Sequence, residues 1–167
     1  MQAQATFENV IQSLKRAEGG KNNGLNDYGG ATQYGLSHRS YPDFNGTFED
    51  ACVIYRRDFW DKYRLSEIVD QVVANQAFLL LINMDPHNAV VILQNAINDC
   101  GKNGFTPVTI NVDGVFGTKT INALNCLNRV WLSDCIRVES CRYYLAETDR
   151  DPAQVPNLRS WIRRALM

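Results

Sequence analysis

Arg16-Ala17-Glu18-Gly19-Gly20, followed at short range by Asn26-Asp27-Tyr28-Gly29-Gly30-Ala31-Thr32, is the stretch that sets the fold. Reading back from it, Phe7, Val10, Ile11 and Leu14 recur at helical spacing. That spacing predicts a helix from about Gln4 to Glu18, with Gly19 as the left-handed residue that stops it. Glu18 then breaks a local rule, because a helix C-terminus carries roughly half a negative charge and favours Lys or Arg. The same dipole, like any burial, would raise the carboxyl pKa, and an acid so raised can donate a proton near neutral pH. Two readings stand at this point: a frayed surface Glu before a glycine cap, or a catalytic acid. Beyond it, glycines at 19, 20, 24, 29, 30 and 35 permit tight turns and a small β-hairpin but no long helix. Tyr28, Tyr34, Tyr41 and Phe44 are interspersed there. Aromatic rings beside hydrogen-bonding loops suit a sugar groove, and they also suit covering the core beneath a loop.

At 167 residues the chain is long enough to bury roughly 70% of its unfolded surface. With 45% hydrophobic and 21% charged residues and a net charge of -1, it reads as a soluble globular protein without the basic excess that draws a protein to nucleic acid. Met1-Gln2-Ala3-Gln4-Ala5 lacks the regions of a signal peptide, and the apolar run 77–82 is far too short to span a bilayer. The expectation is synthesis in the cytoplasm with no integral membrane segment. Five cysteines (Cys52, Cys100, Cys126, Cys135 and Cys141) show no Cys-x-x-Cys spacing, and His38 and His87 stand alone. Free buried thiols, no metal and no cofactor are expected.

Thr47 opens a second helix, with Asp50 placed to complete a capping box, and it runs to about Tyr63. Its inward stripe reads Cys52, Tyr55, Arg56, Phe59, Trp60 and Tyr63. Arg56 is the odd member, either in an ion pair or in contact with substrate. Ser66-Glu67 opens a third helix with Ile68, Val69, Val72, Val73, Ala77, Leu80 and Leu81 inward, ending near Asn83. Asp85-Pro86 starts a fourth, with Ala89, Val90, Leu93, Ala96 and Ile97 inward and Gly101 closing it. Gly104, Pro107 and the Asp113-Gly114 turn interrupt the pattern. Thr118 is placed to cap a helix carrying Ile121, Leu124 and Leu127, then come Trp131 to Leu145 and a last helix after Pro156. Arg159, Arg163 and Arg164 make the C-terminus locally basic, as a solvated face or one that meets an anionic polymer. The chain reads as mainly α.

Glu18-Gly19-Gly20, Asp27-Tyr28-Gly29-Gly30-Ala31-Thr32-Gln33-Tyr34-Gly35-Leu36 and Tyr55-Arg56-Arg57-Asp58-Phe59-Trp60 together resemble the signature of glycoside hydrolase family 108. That family contains N-acetylmuramidases such as phage endolysins and a muramidase linked to toxin secretion. Val112-Asp113-Gly114-Val115-Phe116-Gly117 with Thr120-Ile121-Asn122-Ala123-Leu124 resembles the predicted peptidoglycan-binding region that completes such proteins. The resemblance implies a lysozyme-like helical fold with a small hairpin, divided into a catalytic lobe at 1–84 and a peptidoglycan-binding lobe at 85–167, packed as one monomeric unit. It implies cleavage of the β-1,4 bond between N-acetylmuramic acid and N-acetylglucosamine, in peptidoglycan glycan strands. The spacing of Glu18, Asp27 and Thr32 is close to the Glu-Asp-Thr triad of phage-type lysozymes, which has one residue more before its Thr. By that similarity Glu18 is the acid, Asp27 orients or deprotonates water or stabilises the developing cation, and Thr32 helps hold the water. From the residues alone, Asp27 and Thr32 equally suit a turn and a hairpin. Substrate contacts are assigned to Tyr28, Tyr34, Tyr41, Arg56, Trp60, Asn83 and Asp113. One departure is Leu79-Leu80-Leu81-Ile82-Asn83-Met84, where family members often carry an acidic residue a few positions before the Asn.

A lytic transglycosylase and a non-catalytic wall-binding protein are the alternatives. Action on the wall would require release through a holin-type pore or by a non-classical route.

Overall fold

The spacing of Phe7, Val10, Ile11 and Leu14 is realised as helix α1 (Phe7–Ala17), in which Phe7, Val10 and Leu14 are buried and Ile11 is partly buried. In the computed structural model of the chain, the residues described are 4–17, 32–34, 36–37, 39–103 and 106–166, without the side chains of 13, 15–17, 32, 33 and 103. Strands β1 (Thr32–Gln33) and β2 (Leu36–Ser37) form the hairpin, in antiparallel register with Thr32 opposite Ser37 and Gln33 opposite Leu36. All other regular structure among the described residues is helical.

Thr47 caps helix α2 (Phe48–Tyr55) through the expected box, its hydroxyl accepting from the Asp50 N–H at 3.3 Å and the Asp50 carboxylate accepting from the Thr47 N–H at 2.8 Å. From Arg56 to Asp61 the winding loosens into a π-helix. Buried Tyr55 and Trp60, five residues apart, share a face under that winding, whereas Arg56 turns out to solvent. The segment then tightens to a 3-10 turn at Leu65–Glu67, so Ser66 does not open the third helix. Asp70 does: its Oδ1 accepts from the N–H groups of Val72 (2.9 Å) and Val73 (3.1 Å) at the head of α3 (Gln71–Asn83). The start fixes the phase, leaving Val72 exposed and burying Val73, Ala74, Ala77, Phe78, Leu80 and Leu81. Phe78 joins Phe7, Tyr55 and Trp60 in an edge-to-face aromatic cluster under α1.

Helix α4 (Pro86–Asn103) starts at Asp85 as expected but runs past Gly101. Gly101 is a close-approach residue, since a Cβ there would lie 1.9 Å from the carbonyl oxygen of Val108. The returning segment is stitched along α4 at three positions of one face. Gly101 admits Val108, and the Asn98 side chain pairs with both backbone groups of Ile110, accepting from its N–H at 2.8 Å and donating to its C=O at 3.0 Å. Gln94 holds the turn at 113–115, accepting from the N–H groups of Asp113 (3.0 Å) and Gly114 (2.9 Å). Gly114 has φ +69° and stands where a Cβ would strike the His87 ring, so the Asp-Gly signal is obeyed.

Helix α5 (Thr118–Cys126) takes Gly117 as its cap residue without a side-chain bond, so Thr118 is the first helical residue rather than the cap. Helix α6 (Arg129–Arg150) is capped by Asn128 and extends beyond the expected span at both ends. Helix α7 (Val155–Ala165) buries Trp161 against Tyr144, ring centroids 5.2 Å apart. All five cysteines are free thiols, but only Cys100 is buried and Cys126 is exposed. Polar ties join the halves: the Asn125 side chain accepts from the Val69 N–H and donates to the Glu67 C=O, each at 2.8 Å. Arg129 meets Asp70 at 3.3 Å. No helix among the described residues is long and apolar enough to cross a membrane.

Candidate active site

Helix α1 ends at Ala17, and the next residue in the chain is Glu18. Glu18, Asp27 and Tyr28 lie outside the described residues, as does the side chain of Thr32. The backbone of Thr32 is placed, at the start of β1 and opposite Ser37.

What holds that hairpin is visible. Tyr34, the first residue of its two-residue loop, has φ +52°, a left-handed conformation that costs a non-glycine residue roughly 1–2 kcal/mol. Two contacts offset the strain. The buried Tyr55 hydroxyl donates to the Tyr34 carbonyl at 2.8 Å, and the Tyr34 ring sits edge-on to Phe48 at 5.9 Å. Tyr34 is 40% exposed, so part of its ring is open to solvent.

The Tyr41 N–H donates to the Ser37 carbonyl at 2.9 Å, continuing the chain from β2. Its hydroxyl donates to Asp58 Oδ2 at 2.9 Å, and the Arg57 guanidinium forks onto the same carboxylate at 2.6 and 2.8 Å. Burial, then the neighbouring carboxylate, push Tyr41 up to about 12. Arg57 foremost, with help from the Tyr41 hydroxyl and against partial burial, holds Asp58 below the usual carboxylate range. The π-helix thus presents Asp58 to the loop that leaves the hairpin.

Arg56 forms the ion pair that was one of its two readings: Nη2 lies 2.5 Å from Glu8 Oε1, and the guanidinium stacks 4.4 Å above the Phe7 ring. The pair borders a shallow groove of about 450 Å³ between α1 and α2, lined also by Ile11, Cys52, Val53 and Asp61. Trp60 corrects the expectation of substrate contact. It is 3% exposed and packs on Phe7 and Phe78, because the π winding turns it into the core. Asn83 donates to the Leu79 carbonyl at 2.7 Å and accepts from Arg164 Nη1 at 3.1 Å, tying the end of α3 to α7. Arg164 therefore does more than solvate a basic face. Asp113 is held by Gln94 Nε2 at 2.8 Å and caps its own turn through the Val115 N–H at 2.9 Å. The Val115 N–H first, and Gln94 second, keep its carboxyl below the usual range.

The structure therefore brings Tyr34, Tyr41 and the backbone of Thr32 onto one hairpin with its exit loop, backed by Tyr55 and Asp58. Arg56 lies on the α1–α2 face, Asn83 lies against α7, and Asp113 lies at the α4–α5 turn. Tyr55, Asp58 and Gln94 escaped assignment as positioning residues. Tyr55 showed only as an inward stripe member, and neither Asp58 nor Gln94 carries a local signal for partners 17 and 19 residues away. Among the described residues no group of three or more His, Cys, Asp or Glu side chains could hold a metal ion.

Comparison with known proteins fits this layout. Residues 11–84 match the family model described as Glycosyl hydrolase 108, and residues 88–166 match the one described as Predicted Peptidoglycan domain. No curated protein sequence matches the chain. Among solved structures, SagA of Brucella abortus is similar in fold at 20% identity and a TM-score of 0.68, over 96% of this chain and 93% of that one. With one family model reaching to the end of α3 and the other starting in α4, the chain joins a glycosyl hydrolase 108 region to a predicted peptidoglycan domain and is a glycosidase that acts on peptidoglycan.

Proposed function

We propose that the chain is an N-acetylmuramidase that hydrolyses the β-1,4 bond between N-acetylmuramic acid and N-acetylglucosamine, with Glu18 as general acid. The observation that carries this reading is the order Glu18, Asp27, Thr32 inside the matched region, between a buried amphipathic helix and an anchored hairpin. Glu18 protonates the leaving glycosidic oxygen. Asp27 directs water to the anomeric carbon or supports the oxocarbenium-like charge, and Thr32 holds that water. The Tyr55–Tyr34 hydrogen bond supports the role of Thr32 by fixing the strand that carries it. The substrate places the site of action in the cell wall.

The test is Glu18→Gln on purified peptidoglycan. Losing a general acid costs typically a hundredfold or more in rate, so reducing-end release should fall at least that far while the far-UV spectrum is kept. Full activity in the variant refutes the assignment. Mass spectrometry of wild-type products adds the bond chemistry. Hydrolysis leaves a reducing N-acetylmuramic acid, whereas a 1,6-anhydro end, lighter by one water, identifies a transglycosylase.

A further inference from the structure

A second groove, of about 650 Å³, runs between residues 108–111 and helix α5, far along the sequence from the hairpin. Thr109 and Asn111 line one wall and Lys119, Asn122 and Cys126 line the other, the last three on the outward face of α5.

The first wall has a defined hydrogen-bonding edge. Asn98 takes both backbone groups of Ile110, its N–H and its C=O. A trans peptide unit is planar, with C=O and N–H pointing in opposite directions. The C=O of Thr109 therefore points away from α4, because it shares a peptide plane with the Ile110 N–H. By the same argument the Asn111 N–H points away as well. Both residues are exposed and neither makes a hydrogen bond among the described residues. One acceptor and one donor flanking a single residue are what an antiparallel partner uses to exchange two N–H···O bonds. The edge is also held from behind, since Gly101, Asn98 and Gln94 stitch the segment to α4.

The charges narrow the occupant. Lys119 is the single basic residue lining the groove and makes no ion pair among the described residues. Asp113 is the single acidic one, with Oδ1 engaged by Gln94 and the Val115 N–H. A sugar offers neither a peptide edge nor a formal charge of each sign. A short peptide bearing carboxylates and a free ammonium offers all three.

Resting on the peptidoglycan reading above, we infer that this groove binds the stem peptide of peptidoglycan rather than its glycan. The peptide backbone pairs with the Thr109 C=O and the Asn111 N–H, a stem carboxylate sits at Lys119, and the ammonium of the diamino acid faces Asp113.

The experiment uses the full chain carrying Glu18→Gln, labelled with nitrogen-15, so that cleavage does not enter. Free L-alanyl-γ-D-glutamyl-diaminopimelate is titrated in one arm and the peptide-free disaccharide of N-acetylglucosamine and N-acetylmuramic acid in the other. The tripeptide should shift the Asn111 amide downfield and slow its hydrogen exchange, and the disaccharide should leave it in place. Lys119→Glu should weaken the tripeptide about tenfold or more, the usual effect of losing a charge-assisted bond. Asn122→Trp, which fills the groove from an exposed position, should do the same. Equal tripeptide affinity in both variants overturns the inference, as does a shift of Asn111 by the disaccharide alone. Either result leaves the Glu18 assignment intact, because that stands or falls on wall cleavage.

Discussion

Replacing Gln94 with leucine keeps the volume of a side chain that is 1% exposed and removes every polar contact it makes. In the native chain its Oε1 accepts from two successive N–H groups, of Asp113 and Gly114, and its Nε2 donates to Asp113 Oδ1 and the Val115 carbonyl. Leucine leaves both N–H groups facing an apolar side chain. A lost backbone hydrogen bond costs about 1 kcal/mol, and more where water cannot replace the partner. The two together give about 2–3 kcal/mol, with the solvent-facing carboxylate of Asp113 left out of the figure. The assay is urea unfolding followed by tryptophan fluorescence. A chain of this size has a slope near the upper half of the usual range, about 2–3 kcal/mol per molar urea, so the midpoint should fall by about 1 M at constant slope. Gln94→Glu separates geometry from charge. It keeps the acceptor for both N–H groups but sets a carboxylate where Nε2 donated to Asp113 Oδ1, so its midpoint should lie between those of wild type and Gln94→Leu. A midpoint shift under about 0.3 M for Gln94→Leu would falsify the view that this side chain pins the turn.

Two other predictions follow from contacts of the same kind. Gly101→Ala puts a methyl 1.9 Å from the Val108 carbonyl oxygen, so helix α4 and the segment at 108 must move apart. Overpacking of this sort costs about 1–3 kcal/mol or more, read as a lower melting temperature, and an unchanged value refutes the close approach. Tyr41 and Asp58 predict losses of stability at both ends of the pH scale. Asp58 has its folded pKa depressed below 3.8, so its contribution is present above that value and lost as pH falls through the folded one. Tyr41 is raised from 10.0 to about 12, so its contribution is present below pH 10 and lost as pH rises towards 12. Tyr41→Phe should remove that part of the alkaline loss, and an identical stability profile between pH 9 and 12 in wild type and variant refutes the bond.

The mainly helical fold was legible because α1 and α4 carry a clean 3.6-residue period and because Thr47-Phe48-Glu49-Asp50 and Asp85-Pro86 are complete local start signals. Such signals need only neighbours within a turn. The π-helix at Arg56–Asp61 was not legible, since nothing local distinguishes it from α. It sets Trp60 on the face of Tyr55, five residues before it, and so deep in the core. Gly101 was misread for a different reason: a glycine that ends a helix and one that admits another chain look alike until the other chain is placed. The reading that Ser66-Glu67 opens the third helix missed the cap at Asp70, because Ser-Glu is itself a local start signal. Of the candidate site, the helix end proposed Glu18 and the family resemblance proposed Asp27 and Thr32, whereas the supports behind the hairpin come from residues 17 and 21 positions apart. Long-range polar pairs have no period and leave no trace in a single chain.

Asn125 carries a consequence for how such proteins can be recombined. Its one amide group completes the backbone bonding of residues 67 and 69, which belong to the other half of the chain, and Asn83 with Arg164 makes a second bond across the same divide. Cutting between 84 and 88 would strip a donor and an acceptor from the first half and strand their partners on the second. The glycosidase region and the peptidoglycan domain are thus neighbours that finish each other's secondary structure. An exchange of the second half between relatives carries the first half's cooperativity with it, and loses two hydrogen bonds to residues 67 and 69 unless the incoming helix brings an asparagine at the position of 125.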